Sequence, residues 1–246
     1  MRVTITGATG FVGSRLVAAL NGRGDDITVL SRDAARAGER LGVDAVAWDW
    51  TRGPAPAAAL AGRDVVVHLA GEPVSQRWNA EVKQRIGDSR ERGTSELVAG
   101  IAAAHPRPPR LICASACAYY GAHGAEIVDE SAPAASGDFL ADVCVRWERA
   151  ADGAAEHGVG VAKVRTGIAL HPDRGFGLTG RNGAALHAST GCDLELRPAS
   201  VHGGHKRFSF RCLLEVPIQS ARSVPTPYAE FRACHFSYSQ PVTEAH

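Results

Sequence analysis

A glycine-rich turn close to the N-terminus restricts the fold of this chain more than any other segment. The turn reads Thr-Gly-Ala-Thr-Gly-Phe-Val-Gly over residues 6–13, between a strand-like and a helix-like segment. Gly7 permits a tight turn, Gly10 lets the backbone approach a diphosphate, and Gly13 lets the helix pack closely against the strand. The helix N-terminus then offers N–H groups and the positive end of its dipole to phosphate oxygens. The turn therefore predicts a dinucleotide site, although a merely tight strand–helix connection would also contain glycines.

Strand-like and helix-like segments alternate along the first 170 residues. Strands are predicted at 2–6, 27–30, 43–47, 64–69, 110–114 and 160–165. Helices are predicted near 11–22, 33–41, 55–61, 78–104 and 138–157. In the first helix Val12, Leu16 and Leu20 recur every four residues, which predicts one buried stripe. The alternation predicts an α/β fold, with a doubly wound Rossmann-type parallel sheet and helices on both of its faces.

The residue pattern changes near residue 175. Residues 176–246 contain five of the ten histidines and three of the six cysteines, but none of the four tryptophans. They show no sustained helical or strand periodicity. The sequence therefore predicts a nucleotide-binding Rossmann domain over 1–175 and an aberrant tail over 176–246. The tail is either a small irregular subdomain or a segment that does not pack, and its histidines and cysteines fit no standard zinc spacing, so no metal site is predicted.

Composition limits the partners and the compartment that we expect. Lys and Arg number 27 and Asp and Glu 26, so the net charge is +1, with no positive excess to neutralise a nucleic-acid backbone. No apolar run approaches the roughly 18 residues of a membrane span. Met1 leads directly into a strand-like segment without a basic region and cleavage site, and the cysteines form no Cys-x-x-Cys pair. We therefore expect a cytoplasmic protein with reduced thiols and a small-molecule partner. The sequence does not predict the oligomeric state.

The end of the second predicted strand bears on which dinucleotide is bound. An acidic residue there binds the ribose 2′-hydroxyl of NAD, whereas an arginine accommodates the 2′-phosphate of NADP. Here the strand is followed by Ser31, Arg32 and Asp33, and the Arg32 guanidinium could pair bidentately with a phosphate. Asp33 would compete for the ribose, but its position favours a cap on the next helix. The sequence therefore favours NADP(H) as the cofactor, with an ordinary surface arginine as the alternative for Arg32.

Further short motifs extend through most of the first 175 residues. In addition to the glycine turn they lie at 31–32, 48–49, 68–73, 77–78, 83–86, 88–90, 115–116, 119–121, 138–141, 147–148 and 165–167. With these motifs the sequence resembles the extended short-chain dehydrogenases/reductases, and more narrowly the atypical, epimerase-like short-chain dehydrogenase family 39U. The resemblance implies an NADP(H)-dependent oxidoreductase or epimerase-like enzyme that acts on a small molecule.

The resemblance also implies a set of cofactor-binding positions. From the diphosphate to the nicotinamide half, these positions are Gly7, Gly10, Phe11, Val12 and Gly13, Ser31 and Arg32, Asp49 and Trp50, Leu69, Ala70 and Gly71, and Glu72 and Arg77. Leu69 and Ala70 would also be ordinary sheet core. For Glu72 and Arg77 the alternative is a surface ion pair of little energetic consequence.

The catalytic residues of the wider superfamily are only partly present. Its members use a serine with a tyrosine and a lysine spaced Tyr-x-x-x-Lys, in which the lysine lowers the pKa of the tyrosine. Ser115 follows a predicted strand as that serine would. At the positions of the tyrosine and lysine the chain has Phe139 with Val143, or Leu140 with Cys144, depending on the register. Neither pair can relay a proton.

Other residues could replace the missing pair. Tyr119 or Tyr120 could provide a phenol near Ser115, although aromatic packing at the strand end is the other interpretation. Asp142 and His123 are further candidates. We therefore predict Ser115 and Tyr120 as catalytic candidates, while Ser115 could instead bind the cofactor or a backbone group.

The resemblance stops near residue 175. Members of the family continue with a glycine-rich stretch, an Ile-His-Asp segment and a C-terminal subdomain that closes the substrate cleft, and residues from Phe176 onward match none of these. One hypothesis is a change of reading frame near codon 175. Translating the coding DNA in its other two frames tests it, and absence of an Ile-His-Asp segment there would refute it. Without the substrate subdomain, the alternatives to an enzyme are a non-catalytic NADP(H)-binding sensor and an inactive remnant.

Overall fold

The chain divides into two compact units, Met1–Gly167 and Ile168–His246. The computed structural model describes residues 1–123 and 128–167 in full, together with the backbone at 194–198 and 208–212. The first unit thus ends at Gly167, before the boundary predicted at 175.

A parallel sheet with helices on both faces forms the first unit. Its strands are β1 (Arg2–Thr6), β2 (Asp26–Ser31), β3 (Asp44–Ala47), β4 (Val65–His68), β5 (Arg110–Ala116) and β6 (Gly160–Thr166). Its α-helices are α1 (Phe11–Gly22), α2 (Ala34–Leu41), α3 (Ala57–Leu60), α4 (Ala80–Ala103) and α5 (Phe139–Asp152). Every strand and helix predicted from the sequence is present, with ends that differ by a few residues at most, except that a 3₁₀ turn replaces the end of the last helix. The predicted Rossmann-type fold is confirmed.

The order of the strands creates a crevice at the carboxyl ends of the two central strands. The order is β3-β2-β1-β4-β5-β6, and Thr6 at the end of β1 lies between Leu30 of β2 and His68 of β4. The chain winds outward from β1 to β3 and then crosses over to β4. Because successive connections leave β1 and β4 toward opposite sides, their carboxyl ends border an open crevice, which is where ligands bind in sheets of this kind.

Two large apolar clusters, one on each face of the sheet, form most of the core, and a smaller cluster lies between α4 and α5. Alternate residues of a strand contribute to opposite clusters: Val65 and Val67 to one, and Val66 to the other. The first cluster packs against α1 and α2, and the second contains Leu97 and Ile101 of α4. Runs of apolar residues such as β4 are therefore explained by burial on both faces.

The predicted stripe on α1 is wrong at its first residue. Val12 is 46% exposed, while Gly13, Val17 and Leu20 are the buried positions of this helix. Leu16 is only partly buried. The first turn of α1 lies beyond the end of β1, so that Val12 borders the crevice and does not lie over a strand.

The second unit contains an antiparallel pair of strands, β7 (Leu194–Pro198) and β8 (Phe208–Cys212). The other predictions for the tail, namely the change of reading frame, the missing substrate subdomain and the histidine and cysteine spacing, fall outside the described residues and stay predictions. In the described ranges, no helix combines the length and apolar character needed to cross a membrane.

Candidate dinucleotide-binding site

The glycine turn is held so tightly that two of its glycines have no room for a side chain. Gly7 has a φ of +68°, and a Cβ on it would lie 2.6 Å from the carbonyl carbon of Leu69. A Cβ on Gly13 would collide with the carbonyl oxygen of Gly7. That same oxygen accepts a hydrogen bond from Gly10 N–H at 3.0 Å. The turn therefore depends on close backbone contacts among β1, α1 and the segment after β4.

The N-terminus of α1 opens toward the crevice without a side-chain cap. Gly10 is the N-cap residue and its position provides no side-chain hydrogen bond, and the first turn contains no acidic residue. Phe11 and Val12 form that first turn. A helix N-terminus presents main-chain N–H groups and the positive end of the helix dipole, and no carboxylate of this first turn competes with a diphosphate. The chain's own geometry therefore fits the predicted phosphate cradle.

The last residue of β2, Ser31, and the two residues after it have different roles. The Asp33 carboxylate accepts a hydrogen bond from Arg36 N–H at 3.0 Å and caps α2, which confirms the predicted cap. Ser31 Oγ lies 3.2 Å from the Asp33 carbonyl oxygen, to which it donates. The Arg32 side chain is exposed. The acidic residue is thus committed to the helix, while the arginine is available at the edge of the crevice.

Asp49 and Trp50 follow β3 on the same side of the crevice. The Asp49 carboxylate accepts hydrogen bonds from Thr51 Oγ1 at 2.7 Å and Thr51 N–H at 3.0 Å. These bonds, with smaller contributions from nearby arginines that include Arg32, lower the pKa of Asp49. The Trp50 ring packs on α4, where a Cβ on Gly93 would lie 3.4 Å from it. The predicted place of the pair on the adenine side of the cofactor stays a prediction.

A buried histidine connects the glycine turn to the segment after β4. His68 Nδ1 lies 2.6 Å from Thr6 Oγ1, and His68 Nε2 lies 3.0 Å from Thr94 Oγ1. Thr6 Oγ1 also accepts a hydrogen bond from Ala70 N–H at 3.3 Å. Burial lowers the pKa of His68 to about 4, with a smaller contribution from Arg90. A neutral imidazole therefore links β1, β4 and α4 directly beneath the predicted path of the cofactor.

Leu69, Ala70 and Gly71 continue this path at the crevice. Leu69 N–H donates to the Thr6 carbonyl oxygen at 3.2 Å, and both Leu69 and Ala70 are partly buried while Gly71 is exposed. Leu69 also packs against the core cluster beside α1. Leu69 is therefore part of the sheet core as one interpretation predicted, and the role of the three residues beside the cofactor stays a prediction.

Within the part of the chain that the structure describes, Glu72 and Arg77 do not form the surface ion pair of the alternative interpretation. The Glu72 carboxylate accepts a hydrogen bond from Gln76 Nε2 at 3.1 Å and lies 3.8 Å from Arg85 Nε. Arg77 is exposed. The two side chains do not contact each other, and their roles near the nicotinamide half of the cofactor stay predictions.

A second cluster of polar side chains lies at the ends of β5 and β6. Ser115 Oγ donates to Glu148 Oε1 at 2.6 Å, and Arg165 binds both oxygens of Glu148 through Nε and Nη2 at 2.8 Å each. Arg165 Nη1 donates to the Tyr120 hydroxyl at 2.7 Å, and its guanidinium carbon lies 3.5 Å from the centre of the Tyr119 ring. The structure thus joins the two catalytic candidates, Ser115 and Tyr120, through Glu148 and Arg165.

Charge in this cluster is balanced by a largely buried ion pair. Burial alone would raise the pKa of Glu148, but hydrogen bonds from Arg165 and Ser115 outweigh it and lower that pKa. Burial alone would lower the pKa of Arg165, but its hydrogen bonds to Glu148 and Tyr120 outweigh burial and raise that pKa. Ser115 is only 2% exposed. Its hydroxyl is therefore buried and bound to Glu148.

The start of α5 confirms that the Tyr-x-x-x-Lys pair is absent. Asp138 caps the helix by accepting from Ala141 N–H at 2.9 Å, and Phe139 and Leu140 begin it. Val143 and Cys144 are buried, and burial raises the pKa of the Cys144 thiol. Of the further candidates, Asp142 is exposed in the first turn of this helix, and His123 Nε2 donates to the Tyr120 carbonyl oxygen at 2.7 Å.

Sequence reasoning missed Glu148 and Arg165 as partners of the candidates. Both residues lie in motifs that carried the family resemblance, and Glu148 is a buried acid on an otherwise apolar helix face. An acidic residue in an apolar stripe calls for a buried partner. That signal was present, but its partner could not be read from the sequence.

Comparison with known proteins places this fold in a family. The sequence pattern of the NAD dependent epimerase/dehydratase family matches residues 3–139, more than half of the chain. This chain belongs to the NAD dependent epimerase/dehydratase family. Within it the chain is SDR39U1-like: it is 38% identical over 184 residues to the SDR39U1 homolog of Arabidopsis thaliana, and 33% identical over 155 residues to human SDR39U1.

The matched region is about half of the length of each of these two relatives. It covers 71% of this chain and 51% of the Arabidopsis protein, and 61% of this chain and 49% of the human one. The crystal structure of human SDR39U1 with NADPH has a TM-score of 0.59 and 29% identity, covering 72% of this chain and 57% of that chain. A nucleoside-diphosphate sugar epimerase from Corynebacterium glutamicum has the same TM-score and 36% identity, covering 71% and 35%.

Proposed function

We propose that this chain is an NADP(H)-binding, epimerase-like oxidoreductase that acts on a small molecule. The observation that carries the proposal is the pair of features at the crevice, a glycine turn without room for side chains and an uncapped helix N-terminus. The solved human SDR39U1 with NADPH supports the same cofactor. Membership of an NAD dependent family also supports the more general proposal that a nicotinamide dinucleotide binds in this crevice.

The preference for NADP(H) depends on Arg32. Because the Asp33 carboxylate caps α2, it does not compete for the ribose, and the exposed Arg32 guanidinium can approach a 2′-phosphate. The nearby Asp49 carboxylate is held by Thr51. Positive charge is therefore left available on this side of the crevice.

Binding of NADPH and NADH to the whole chain tests this preference. Wild type should bind NADPH at least tenfold more tightly than NADH, and Arg32→Gln should lose about tenfold in NADPH affinity while NADH affinity stays the same, because charge-assisted hydrogen bonds contribute roughly 1.5–3 kcal/mol. Arg40→Gln, in the last turn of α2, is the control. A folded wild type that binds neither cofactor would refute the proposed function.

The chemistry is assigned to Tyr120 rather than to the missing pair. Arg165 Nη1 donates to its phenol oxygen at 2.7 Å, and a fixed cation aimed at an oxygen stabilises negative charge that develops there. Tyr120 can thus exchange a proton with a substrate oxygen. Ser115 has a positioning role, since its hydroxyl holds the carboxylate that orients Arg165.

Single-turnover oxidation of bound NADPH by a panel of carbonyls and quinones tests this assignment. We expect Tyr120→Phe to slow the reaction at least a hundredfold, within the range typical for loss of a general acid, and to leave NADPH affinity unchanged. Tyr119→Phe provides the matched control. Unchanged turnover in Tyr120→Phe would remove that residue from the chemistry.

A non-catalytic sensor is the second candidate function. The observation that favours it is the apolar start of α5, where Phe139, Leu140, Val143 and Cys144 occupy the positions of the usual tyrosine and lysine. If the chain is a sensor, it should bind NADPH, and no compound of the panel should oxidise the bound NADPH. The single-turnover experiment therefore distinguishes the two functions.

A further inference from the structure

Arg90 of α4 is a largely enclosed cation beside the crevice to which no role has yet been given. Its Nη1 group donates to the carbonyl oxygen of Glu72 at 2.9 Å and to that of Ile86 at 3.2 Å. The guanidinium carbon lies 5.0 Å from the centre of the Trp147 ring on α5. The side chain is thus held between the segment after β4 and the helix α5.

The exit from β4 is shaped around this guanidinium. A Cβ on Gly71 would lie 3.1 Å from the Arg90 guanidinium carbon and 3.2 Å from Nη2. Any larger residue at position 71 would therefore have to displace the arginine. The glycine that continues the predicted cofactor path leaves the space through which Arg90 reaches that path.

Two of the three nitrogens of this guanidinium keep donors that the protein does not use. Both hydrogens of Nη1 point to main-chain carbonyl oxygens, but among residues 1–123 and 128–167 the structure gives Nε and Nη2 no hydrogen-bond partner and Arg90 no ion pair. Burial lowers the pKa of Arg90, against smaller opposing contributions from Cys144 and Glu72. Nε and Nη2 are not fully enclosed, so their donors reach solvent, and oxygen atoms of a ligand can take the place of water there.

Arg90 lies close to one of the two positions at which the absent lysine was expected. Cys144 stands at the lysine position in one register of the Tyr-x-x-x-Lys motif, and Trp147, one turn further on the same face of α5, contacts Arg90. Arg90 and Cys144 are near enough for each to influence the pKa of the other. A positive charge therefore reaches this place from α4 instead of from α5.

We propose that Arg90 binds the ribose on the nicotinamide side of the cofactor, donating to its hydroxyl oxygens through Nε and Nη2. The proposal rests on the proposed function, which places the 2′-phosphate at Arg32 and the diphosphate at the N-terminus of α1. A dinucleotide held at these two points extends across the switch point toward β4 and β5, where Arg90 lies between Gly71 and Trp147.

Three ligands of decreasing length locate the contact: NADPH, 2′-phospho-ADP-ribose and adenosine 2′,5′-bisphosphate. The first two contain the distal ribose, and the third lacks it. In calorimetric titrations, Arg90→Gln should weaken binding of the first two by about tenfold to a hundredfold, the range expected for lost hydrogen bonds to a charged group. Affinity for adenosine 2′,5′-bisphosphate should change less than twofold, which also shows that the variant is folded.

Arg146→Gln is a matched control, because Arg146 also joins α4 to α5, through an ion pair with Glu91 at 2.7 Å. It should leave all three affinities within twofold of wild type. Arg90→Lys keeps the charge but loses the planar fork, and should give an intermediate affinity for NADPH. Equal losses for all three ligands, or no loss for any, would overturn the assignment of Arg90. A wild type that binds none of them would instead refute the proposed function itself.

Discussion

At the scale of single residues, the glycine turn derives its shape from backbone contacts within itself and with the segment after β4. Gly7 needs a left-handed φ and lies against the main chain of Leu69, and Gly13 lies against the carbonyl of Gly7. Side chains could move away from an added methyl group, but main-chain atoms in a parallel sheet cannot do so without disturbing neighbouring hydrogen bonds. The turn is therefore sensitive to changes of a single carbon atom.

The first prediction concerns Gly7→Ala. The added Cβ meets main-chain atoms at 2.6 Å in a left-handed conformation, so the variant should lose about 2–4 kcal/mol of unfolding free energy. Its NADPH affinity should fall at least tenfold. Gly22→Ala, at the end of α1 with nothing within 4 Å of the new atom, is the control and should change stability by less than about 1 kcal/mol. Chemical denaturation measures both, and equal stabilities would contradict the turn geometry.

Single residues also show how far sequence reasoning could go. The cap formed by Asp33 could be predicted, since its partner Arg36 is three residues away and helix ends follow local rules. The partners of Ser115 could not, because Glu148 and Arg165 are 33 and 50 residues further along the chain (148 − 115 and 165 − 115). They meet only once α5 and β6 have packed beside β5, and no local pattern encodes that arrangement.

At the scale of elements, His68 joins two strands and a helix beneath the crevice. It contacts Thr6 of β1 and Thr94 of α4 from its own position at the end of β4. Thr6 in turn holds Ala70 N–H. Because burial lowers the pKa of His68 to about 4, the ring is neutral at pH 7, and one of its nitrogens donates to a threonine hydroxyl while the other accepts from one.

The second prediction is a pH dependence of stability that is due to His68. Its pKa is about 4 in the folded protein against 6.5 in the unfolded chain, so below pH 6.5 the unfolded state takes up a proton first. Stability should therefore fall as the pH drops from 6.5 to 4 and be unaffected by this group above that range, with a loss of about 2 kcal/mol at pH 5.

Denaturation of wild type and His68→Gln at pH 7.5 and pH 5 measures this effect. The variant should be less stable at pH 7.5, since a packed polar contact is lost, but its difference between the two pH values should be smaller by about 2 kcal/mol. His157→Gln, at an exposed site, should keep the wild-type difference. The same pH dependence in His68→Gln as in wild type would show that the histidine is not held neutral.

Elements also differ in how well the sequence predicted them. The strands were predicted closely because buried parallel strands are short apolar runs between turns, as in Val65–His68. The stripe on α1 was predicted less well, since periodicity identifies an apolar face but does not show where the helix begins relative to the sheet. Val12 has the right spacing and lies past the strand end, beside the crevice.

At the scale of the whole molecule, the first unit contains everything that the proposed cofactor site requires. Both large apolar clusters and all strands β1–β6 belong to Met1–Gly167. The chain spans about half the length of the curated relatives it matches. Cofactor binding and substrate turnover can therefore be separated experimentally.

The third prediction is that residues 1–167 fold without the remainder of the chain. A chain ending at Gly167 should unfold cooperatively, have a radius of gyration of about 15 Å as expected for a compact domain of its length, and bind NADPH within about threefold of the full chain. Thermal unfolding, small-angle scattering and titration test these three properties. A non-cooperative transition or an expanded chain would show that the second unit is needed for folding.

The cap on α2 has a consequence for redesign of coenzyme use. The usual way to convert such a protein to NADH would be to rely on the acid already present beside Arg32. Here that carboxylate caps the first turn of a helix, so freeing it would destabilise that helix by about 0.5–2 kcal/mol. A successful conversion would have to introduce a separate acid at position 31 and leave Asp33 untouched.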